Sequence, residues 1–231
     1  MDEATLKRDL ALACRILGTN GHEDSIFGHV SARLPGWDRC WMKGHLVGLA
    51  ETTEDDLLLI DFDGKVLEGK RRRHSEYPIH TEIMRARPEI LSVVHTHPVY
   101  GIAFAARGLQ LRPVSHEGSY FWPPGVPIFE EFTDLVQTRR QGEAVSRTLG
   151  GAKALFLRNH GIAVADLTIQ LATFSALMLE RASQVQLLAQ PVPGAPFAHT
   201  PEAEAVDKRK MWSAERVVGV WDFYVRKLEG R

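Results

Sequence analysis

The sequence has little of several features that mark specialised protein classes. Only two of its 231 residues are cysteines, and Cys14 and Cys40 do not form a Cys-x-x-Cys pair. No apolar run approaches the ~18 residues that cross a bilayer, and the N-terminus shows no signal-peptide pattern. We therefore expect a soluble protein in a reducing, cytoplasmic compartment, with no membrane partner.

An excess of charge of either sign is also missing. The formal net charge is -1, from 28 Lys and Arg against 29 Asp and Glu. Binding to nucleic-acid phosphates requires a clustered positive field, so we expect no nucleic-acid partner. The one basic run, Lys70 to Arg73, is short and predicts a solvated loop, with an anion-binding role left open.

What is present is the composition of a globular domain. Hydrophobic residues make up 44% and charged residues 25% of the chain, and 231 residues fit one α/β domain. Periodicity predicts short strands in the first half and helix-strand alternation after Tyr77. Arg112 to Pro127 has no clean period and is predicted to be an ordered loop. Residues 191–200 are predicted to be a linker, and 201–231 a C-terminal segment with one helix that Thr200 caps.

Two histidines stand at the end of an apolar strand. Alternate residues of a strand point to the same face, so His95 and His97 can reach one ion. A third histidine, His160, follows the apolar run Ala154 to Leu157, at another strand end. Three neutral imidazoles and an open position form a standard catalytic metal site, so the pattern predicts a bound divalent ion.

Glu76 precedes the helix whose downstream strand carries His95 and His97. A glutamate at a helix start is often a surface residue that interacts with the helix dipole. Near a metal it could instead ligate the ion and then act as a general acid or base. The sequence alone leaves both interpretations open.

Six motifs together resemble one known family, the class II aldolases of the aldolase/adducin type. The resemblance covers nearly the whole chain, and its motifs are Gly28-His29-Val30-Ser31, Asp61-Phe62-Asp63-Gly64, Ser75-Glu76, Ala86-Arg87-Pro88, Val94-His95-Thr96-His97-Pro98 and Asn159-His160-Gly161.

This resemblance implies an α/β/α sandwich with a central, largely antiparallel sheet. It also implies that His95, His97 and His160 are the ligands of one divalent metal ion per chain, and that Glu76 is the catalytic carboxylate. A homotetramer with active sites between subunits is the usual assembly of the family. The ligand set does not distinguish zinc from manganese, iron or cobalt.

The chain departs from the sugar-phosphate aldolases at their phosphate-binding elements. His29 replaces an Asn, Lys43 lies where a Thr-Gly-bearing loop is typical, and His74 replaces the first serine of a Ser-Ser-Glu motif. These changes resemble a branch that decarboxylates hydroxylated aromatic acids. The predicted substrate-binding residues are His29, Lys43, Arg73, His74, Ser75 and Tyr120.

Decarboxylation and aldol cleavage share one requirement, because each leaves negative charge when a carbon-carbon bond breaks. Glu76, His74 and His116 are the candidate proton donors, and Glu76 and His116 are the predicted catalytic residues. His22, His45, His80 and His199 are predicted to be structural or exposed. We expect a metal-dependent carbon-carbon lyase acting on a small molecule, with decarboxylation preferred. Aldol cleavage, oxygenation and a non-catalytic, adducin-like binding module are the alternatives.

Overall fold

One mixed sheet with helices on both faces contains every strand of the residues that the computed structural model describes, 1–190, 192 and 196–230. The strands are β1 His29–Ala32, β2 Arg39–Lys43, β3 Leu57–Asp61, β4 Val66–Glu68, β5 Ser92–Thr96, β6 Ile128–Phe129, β7 Ala154–Leu157 and β8 Gly161–Asp166. The helices are α1 Glu3–Leu17, α2 Tyr77–Ala86, α3 Val99–Ala106, α4 His116–Phe121, α5 Arg139–Leu149, α6 Ile169–Ala189, α7 Glu202–Arg209 and α8 Ala214–Leu228.

The strand order is β4-β3-β2-β1-β5-β8-β7-β6. Every neighbouring pair is antiparallel except β6 with β7, which is parallel. The prediction of a central, largely antiparallel sheet in an α/β/α sandwich is therefore confirmed.

A separate apolar core covers each face of the sheet. On one face, Leu10 of α1 and Phe174 of α6 pack with Phe156 of β7. On the other face, Ile79 of α2 and Val145 of α5 pack among strand side chains that include Val93 of β5. Each large apolar side chain that is fully buried contributes about 1.5–3 kcal/mol to folding, so both helical layers are firmly attached.

The hairpin between β7 and β8 brings its turn beside the end of β5. In the β5–β8 ladder, His95 lies opposite Ala163 and Thr96 opposite Ile162. A Cβ built on Gly161 would overlap the Thr96 carbonyl oxygen and lie 2.8 Å from the His97 ring. Glycine at this position therefore permits the close approach of the two strand ends.

The predicted loop from Arg112 to Pro127 is wrong in its central part, which forms α4. Ser115 begins this helix because its side chain accepts a hydrogen bond from the Gly118 N–H at 3.2 Å. A helix of 6 residues is too short to produce a clear helical period in the sequence.

The sequence pattern also does not predict strands β6 and β8.

The prediction of one C-terminal helix from residue 201 is also wrong, because the described residues 202–228 form α7 and α8. Ser213 caps the start of α8 by accepting a hydrogen bond from the Arg216 N–H, and a cap inside a helical pattern favours a new helix start. Thr200 does not cap α7, whose N-cap is Pro201. Residues 191, 193–195 and 231 of the predicted linker and C-terminal segment lie outside the described residues.

Two expectations from composition concern cysteines and the membrane. Cys14 and Cys40 are free and buried, and burial raises the pKa of each thiol to about 12. In the described part of the chain, no helix combines the length and the apolar character that a membrane crossing requires.

Candidate metal centre

Four side chains converge where β5 ends, at the β7–β8 turn and at the start of α2. His95 lies in β5, His97 directly follows the last residue of that strand, His160 lies in the turn, and Glu76 is the N-cap residue of α2. One ligand atom from each side chain lies within 4.8 Å of all the others. The structure thus brings together the three predicted metal ligands and the predicted catalytic carboxylate.

The donor atoms face a common point. Nε2 of His97 lies 3.2 Å from Nε2 of His95. Oε2 of Glu76 lies 3.6 Å from Nε2 of His95 and 3.6 Å from Nε2 of His160. These separations place three nitrogens and one carboxylate oxygen around a space the size of a single ion.

Hydrogen bonds on the outer edges of the rings orient two of the histidines. Nδ1 of His95 lies 2.9 Å from the carbonyl oxygen of Ile162, and Nδ1 of His97 lies 2.9 Å from Oδ2 of Asp24. Carbonyl and carboxylate oxygens only accept, so each Nδ1 carries the proton and donates it. Each Nε2 is therefore left with a lone pair that faces the cluster, which is the tautomer a metal ligand needs.

His160 provides an independent test of whether these residues fit a metal. Its Nε2 is buried and has no hydrogen-bond partner among the described residues. A buried polar atom without a partner is uncommon and costs about 1–3 kcal/mol. A metal ion bound at this nitrogen would remove that cost, so the donor set fits a metal.

Glu76 contributes the negative charge of the cluster. Its Oε1 accepts a hydrogen bond from the Val136 N–H at 2.8 Å, and Oε2 faces the histidines. Burial alone would raise the pKa of Glu76, but its close contacts with the His160 and His95 rings outweigh burial and hold the pKa well below its usual range. Burial lowers the pKa of His97 to about 4, so this ring is neutral near pH 7.

Two predicted substrate-binding histidines lie beside the cluster. The ring centroid of His29 is 5.0 Å from that of His95 and 4.4 Å from that of His74. Both rings are buried, and burial lowers the pKa of His74 to about 3. Nε2 of His74 donates a hydrogen bond to the Gly44 carbonyl oxygen at 3.1 Å. The structure thus places neutral imidazoles next to the candidate ligands.

Lys43 does not have the direct substrate contact that was predicted for it. The side chain is fully buried, and its ammonium donates to the backbone carbonyls of Ile26, Gly44 and Val47. An ammonium has three donors, and these three bonds use all of them. Lys43 therefore stabilises the loop around it and has no donor left for a substrate.

Arg73 and Ser75 flank Glu76 on its N-terminal side. The Arg73 guanidinium lies over the Tyr77 ring, 4.3 Å from the centroid, and is half-buried. Ser75 is exposed. Their predicted roles in substrate binding stay predictions.

Tyr120 lies at the wrong end of the sheet to contact a substrate at this cluster. Its hydroxyl is 3.1 Å from Oγ of Ser175, which donates to Asp166 at the last position of β8. His160 precedes the first position of that strand, and its six residues span roughly 20 Å. The predicted contact is therefore corrected, because Tyr120 belongs to the apolar core beyond β8.

His116 is exposed at the start of α4, and its backbone carbonyl accepts a hydrogen bond from the Trp212 indole. Its side chain is not part of the four-residue cluster. The catalytic role predicted for His116 stays a prediction.

Sequence reasoning missed the groups that orient the cluster. Asp24, Val136 and the Ile162 carbonyl are distant from their partners along the chain. Backbone donors and acceptors have no sequence signature. An acidic residue in a loop is too common a feature to have singled out Asp24.

The chain is similar to known proteins over most of its length. The family described as the class II aldolase and adducin N-terminal domain matches residues 8–187. A 3,4-dihydroxyphthalate decarboxylase of Arthrobacter keyseri is 32% identical over 199 residues, which cover 81% of this chain and 79% of the relative. A 4-hydroxy-3-prenylphenylpyruvate oxygenase/4-hydroxy-3-prenylbenzoate synthase of Streptomyces roseochromogenus subsp. oscitans is 32% identical over 83% of this chain and 70% of its own.

Among solved structures, the L-fuculose 1-phosphate aldolase of Glaciozyma antarctica PI12 superposes with a TM-score of 0.85. It is 28% identical in sequence, and the match covers 98% of this chain and 89% of that chain. Sequence and structure thus lead to the same family.

Proposed function

The chain belongs to the class II aldolase and adducin family, and from this premise we propose that it is a divalent-metal-dependent carbon-carbon lyase that decarboxylates a hydroxylated aromatic acid. The observation that carries the proposal is the convergence of His95, His97, His160 and Glu76 on one point. A non-catalytic binding module has no need of this buried, incompletely paired donor set.

The Nε2 atoms of His95, His97 and His160 would hold the metal ion, with Oε2 of Glu76 as a further ligand. A bound divalent ion supplies Lewis-acid stabilisation of the negative charge that develops when a carbon-carbon bond breaks. The Ile162 carbonyl and the Asp24 carboxylate keep two of the rings in the required tautomer.

Glu76 is the proposed proton carrier. The Val136 N–H holds Oε1, so Oε2 is left at the site, where the carboxylate can take the proton of the substrate hydroxyl and give it to the carbon as the bond to carbon dioxide breaks. His74 and His116 are the other candidates for this role. Arg73 is proposed to bind a substrate carboxylate, since a guanidinium offers paired donors.

The environment of the cluster supports decarboxylation over cleavage of a sugar phosphate. Lys43 is occupied by backbone carbonyls, and burial holds the pKa of His29 and His74 below the usual range, so these residues add no free positive charge for a phosphate. The sequence similarity to a dihydroxyphthalate decarboxylase agrees with this choice.

Two other reactions have specific support. Aldol cleavage is favoured by the structural similarity to an L-fuculose 1-phosphate aldolase. Oxygenation is favoured by the relative named as an oxygenase, since a histidine site that holds iron can activate oxygen. Both use the same cluster, so the reaction has to be identified from its products.

A substrate panel tests the proposal. It contains ortho-hydroxybenzoates, hydroxylated phthalates, fuculose phosphate and ribulose phosphate, each assayed with zinc, manganese, iron and cobalt. We expect carbon dioxide from an aromatic acid, without release of an aldehyde or consumption of oxygen. Efficient aldehyde release from a sugar phosphate with every aromatic acid inert would replace decarboxylation by aldol cleavage.

We also propose that the protein forms a homotetramer, as is usual for this family, and acts on its small-molecule substrate as that assembly. Light scattering at several concentrations gives the oligomeric state. A monomer with full activity would show that one chain completes the active site.

A further inference from the structure

A cavity of about 390 Å³ lies beside Lys153, whose side chain is bonded to Asp166 at the last position of β8. The candidate metal centre is at the other end of this strand, roughly 20 Å away. The cavity is bounded by α4 and the segment after it, the α5–β7 loop, the start of α6 and the α7–α8 turn. None of the four metal-site residues lines it, so the proposed reaction does not account for this cavity.

Aromatic side chains form part of the cavity wall, and contacts behind them hold the rings in place. The Tyr120 hydroxyl lies 3.1 Å from Oγ of Ser175. The Trp212 ring centroid is 5.1 Å from that of Phe174, and the Trp212 indole donates a hydrogen bond to the His116 carbonyl oxygen at 3.4 Å. Rings that are already fixed lose little conformational freedom when a ligand binds, so this wall suits a flat, apolar ligand.

The charged side chains that line the cavity are both cations, Lys153 and Arg209, and no carboxylate of the described residues joins them. The charge of Lys153 is already balanced, because its Nζ lies 2.9 Å from Oδ2 of Asp166. Arg209 makes no ion pair within the described part of the chain. Its Nη1 donates to the Pro123 carbonyl oxygen at 3.0 Å, which holds the guanidinium on the cavity wall and leaves its other N–H groups available.

We propose that this cavity is a second ligand site, which binds a small aromatic monocarboxylate. The ring of the ligand packs against Tyr120 and Trp212, and its carboxylate accepts hydrogen bonds from Arg209, whose guanidinium offers paired donors. One unbalanced cation matches one negative charge. The cavity volume falls within the range of about 300–1,000 Å³ that small-molecule sites occupy. The site is separate from the metal centre, and the proposal does not rest on the proposed reaction.

Calorimetric titration of the full-length protein with 2-naphthoate tests the site. This acid has no hydroxyl group next to its carboxylate, so it lacks the chelating pair of the proposed substrates. We expect one saturable site per chain, with the uncharged 2-naphthamide binding about tenfold more weakly. Equal binding of acid and amide would overturn the proposal. The absence of saturable binding, as when a second copy of the chain fills the cavity, would overturn it as well.

Two matched arginines separate the cavity from a general attraction by positive charge. Arg209 and Arg216 are both exposed, and each donates through Nη1 to one backbone carbonyl oxygen, but only Arg209 lines the cavity. Arg209→Gln should weaken the binding of 2-naphthoate about tenfold, and Arg216→Gln should keep the wild-type dissociation constant. Equal dissociation constants in the two variants would contradict the site.

Two further measurements locate the bound acid. His97→Ala removes a proposed metal ligand and should keep the affinity for 2-naphthoate; loss of binding in this variant would place the acid at the metal centre. In ¹H–¹⁵N spectra, the ring current of bound naphthalene should shift the indole signal of Trp212. The indole of Trp41, which donates to Glu3, should keep its signal. Trp212→Phe and Trp41→Phe assign the two signals, and saturable binding without a shift at Trp212 would refute the assigned cavity.

Discussion

Two polar clusters occupy the opposite ends of β8, and they differ in whether their polar groups are paired. At the far end, Nζ of Lys153 lies 2.9 Å from Oδ2 of Asp166, and Oγ of Ser175 donates to the same oxygen at 3.2 Å. At the near end, Nε2 of His160 has no partner among the described residues, and Oε2 of Glu76 faces three imidazoles.

The two clusters differ in the source of the positive charge that balances their carboxylate, Asp166 or Glu76. The far end pairs one cation with one anion, so the charges balance within the protein. At the near end, the Glu76 carboxylate faces histidines that are oriented as lone-pair donors, so the positive charge has to come from a ligand. Each end contains a buried carboxylate, Asp166 or Glu76, and the candidate site is distinguished by polar atoms that have no bonding partner within the described residues.

The largest effect is expected from removing a ligand at the near end. In His97→Ala the metal content should fall from about one ion per chain to a small fraction of that, and turnover should be lost, because an exchangeable water replaces one of few protein ligands. Elemental analysis of the purified protein measures this. Lys153→Met is the matched control and should retain its metal; equal metal content in His97→Ala would refute the candidate metal centre.

A smaller effect is expected from Glu76→Gln, which keeps the shape of the side chain and removes its charge. Turnover should fall roughly 100-fold, the size of a general acid-base contribution, while circular dichroism shows an intact fold. Glu82→Gln lies on the same helix and is also buried, but it is paired with Arg85 and should keep its turnover. Near-normal turnover in Glu76→Gln would shift the proton-transfer role to His74 or His116.

The smallest effect is expected at the far end. Lys153→Met leaves the Asp166 carboxylate without its cation, which costs about 2 kcal/mol of unfolding free energy after allowance for the partial exposure of the lysine. Urea unfolding measures that loss, and turnover per folded molecule should not change. A large loss of turnover without a loss of stability would mean that the two ends do not have separate roles.

The parts of the fold and site that the sequence predicts are those with a short period. The alternation along β5 and the residue after it directs His95 and His97 to one side, and the apolar run of β7 leads to His160. Helices α1 and α2 follow from their apolar spacing for the same reason. These patterns need only neighbours along the chain.

The errors concern properties that arise only after distant segments pack. Lys43 and Tyr120 have side chains suited to a substrate, but the packed chain directs one to backbone carbonyls and the other to Ser175. The break between α7 and α8 depends on a single cap at Ser213 that competes with a continuing helix. The sequence pattern shows neither the direction that a side chain takes after packing nor the outcome of competition between a cap and a continuing helix.

The missing side chain of Gly161 has a consequence for mutational tolerance. This residue has no side chain that could contact a substrate or an ion. A Cβ at this position would nevertheless collide with Thr96 and His97, and so would change the distance between His97 and the neighbouring ligand His160. Selection for activity should therefore leave Gly161 as intolerant of substitution as the histidines beside it. A saturation library over residues 158–164, scored once for folding and once for turnover, would show a position constrained by spacing alone.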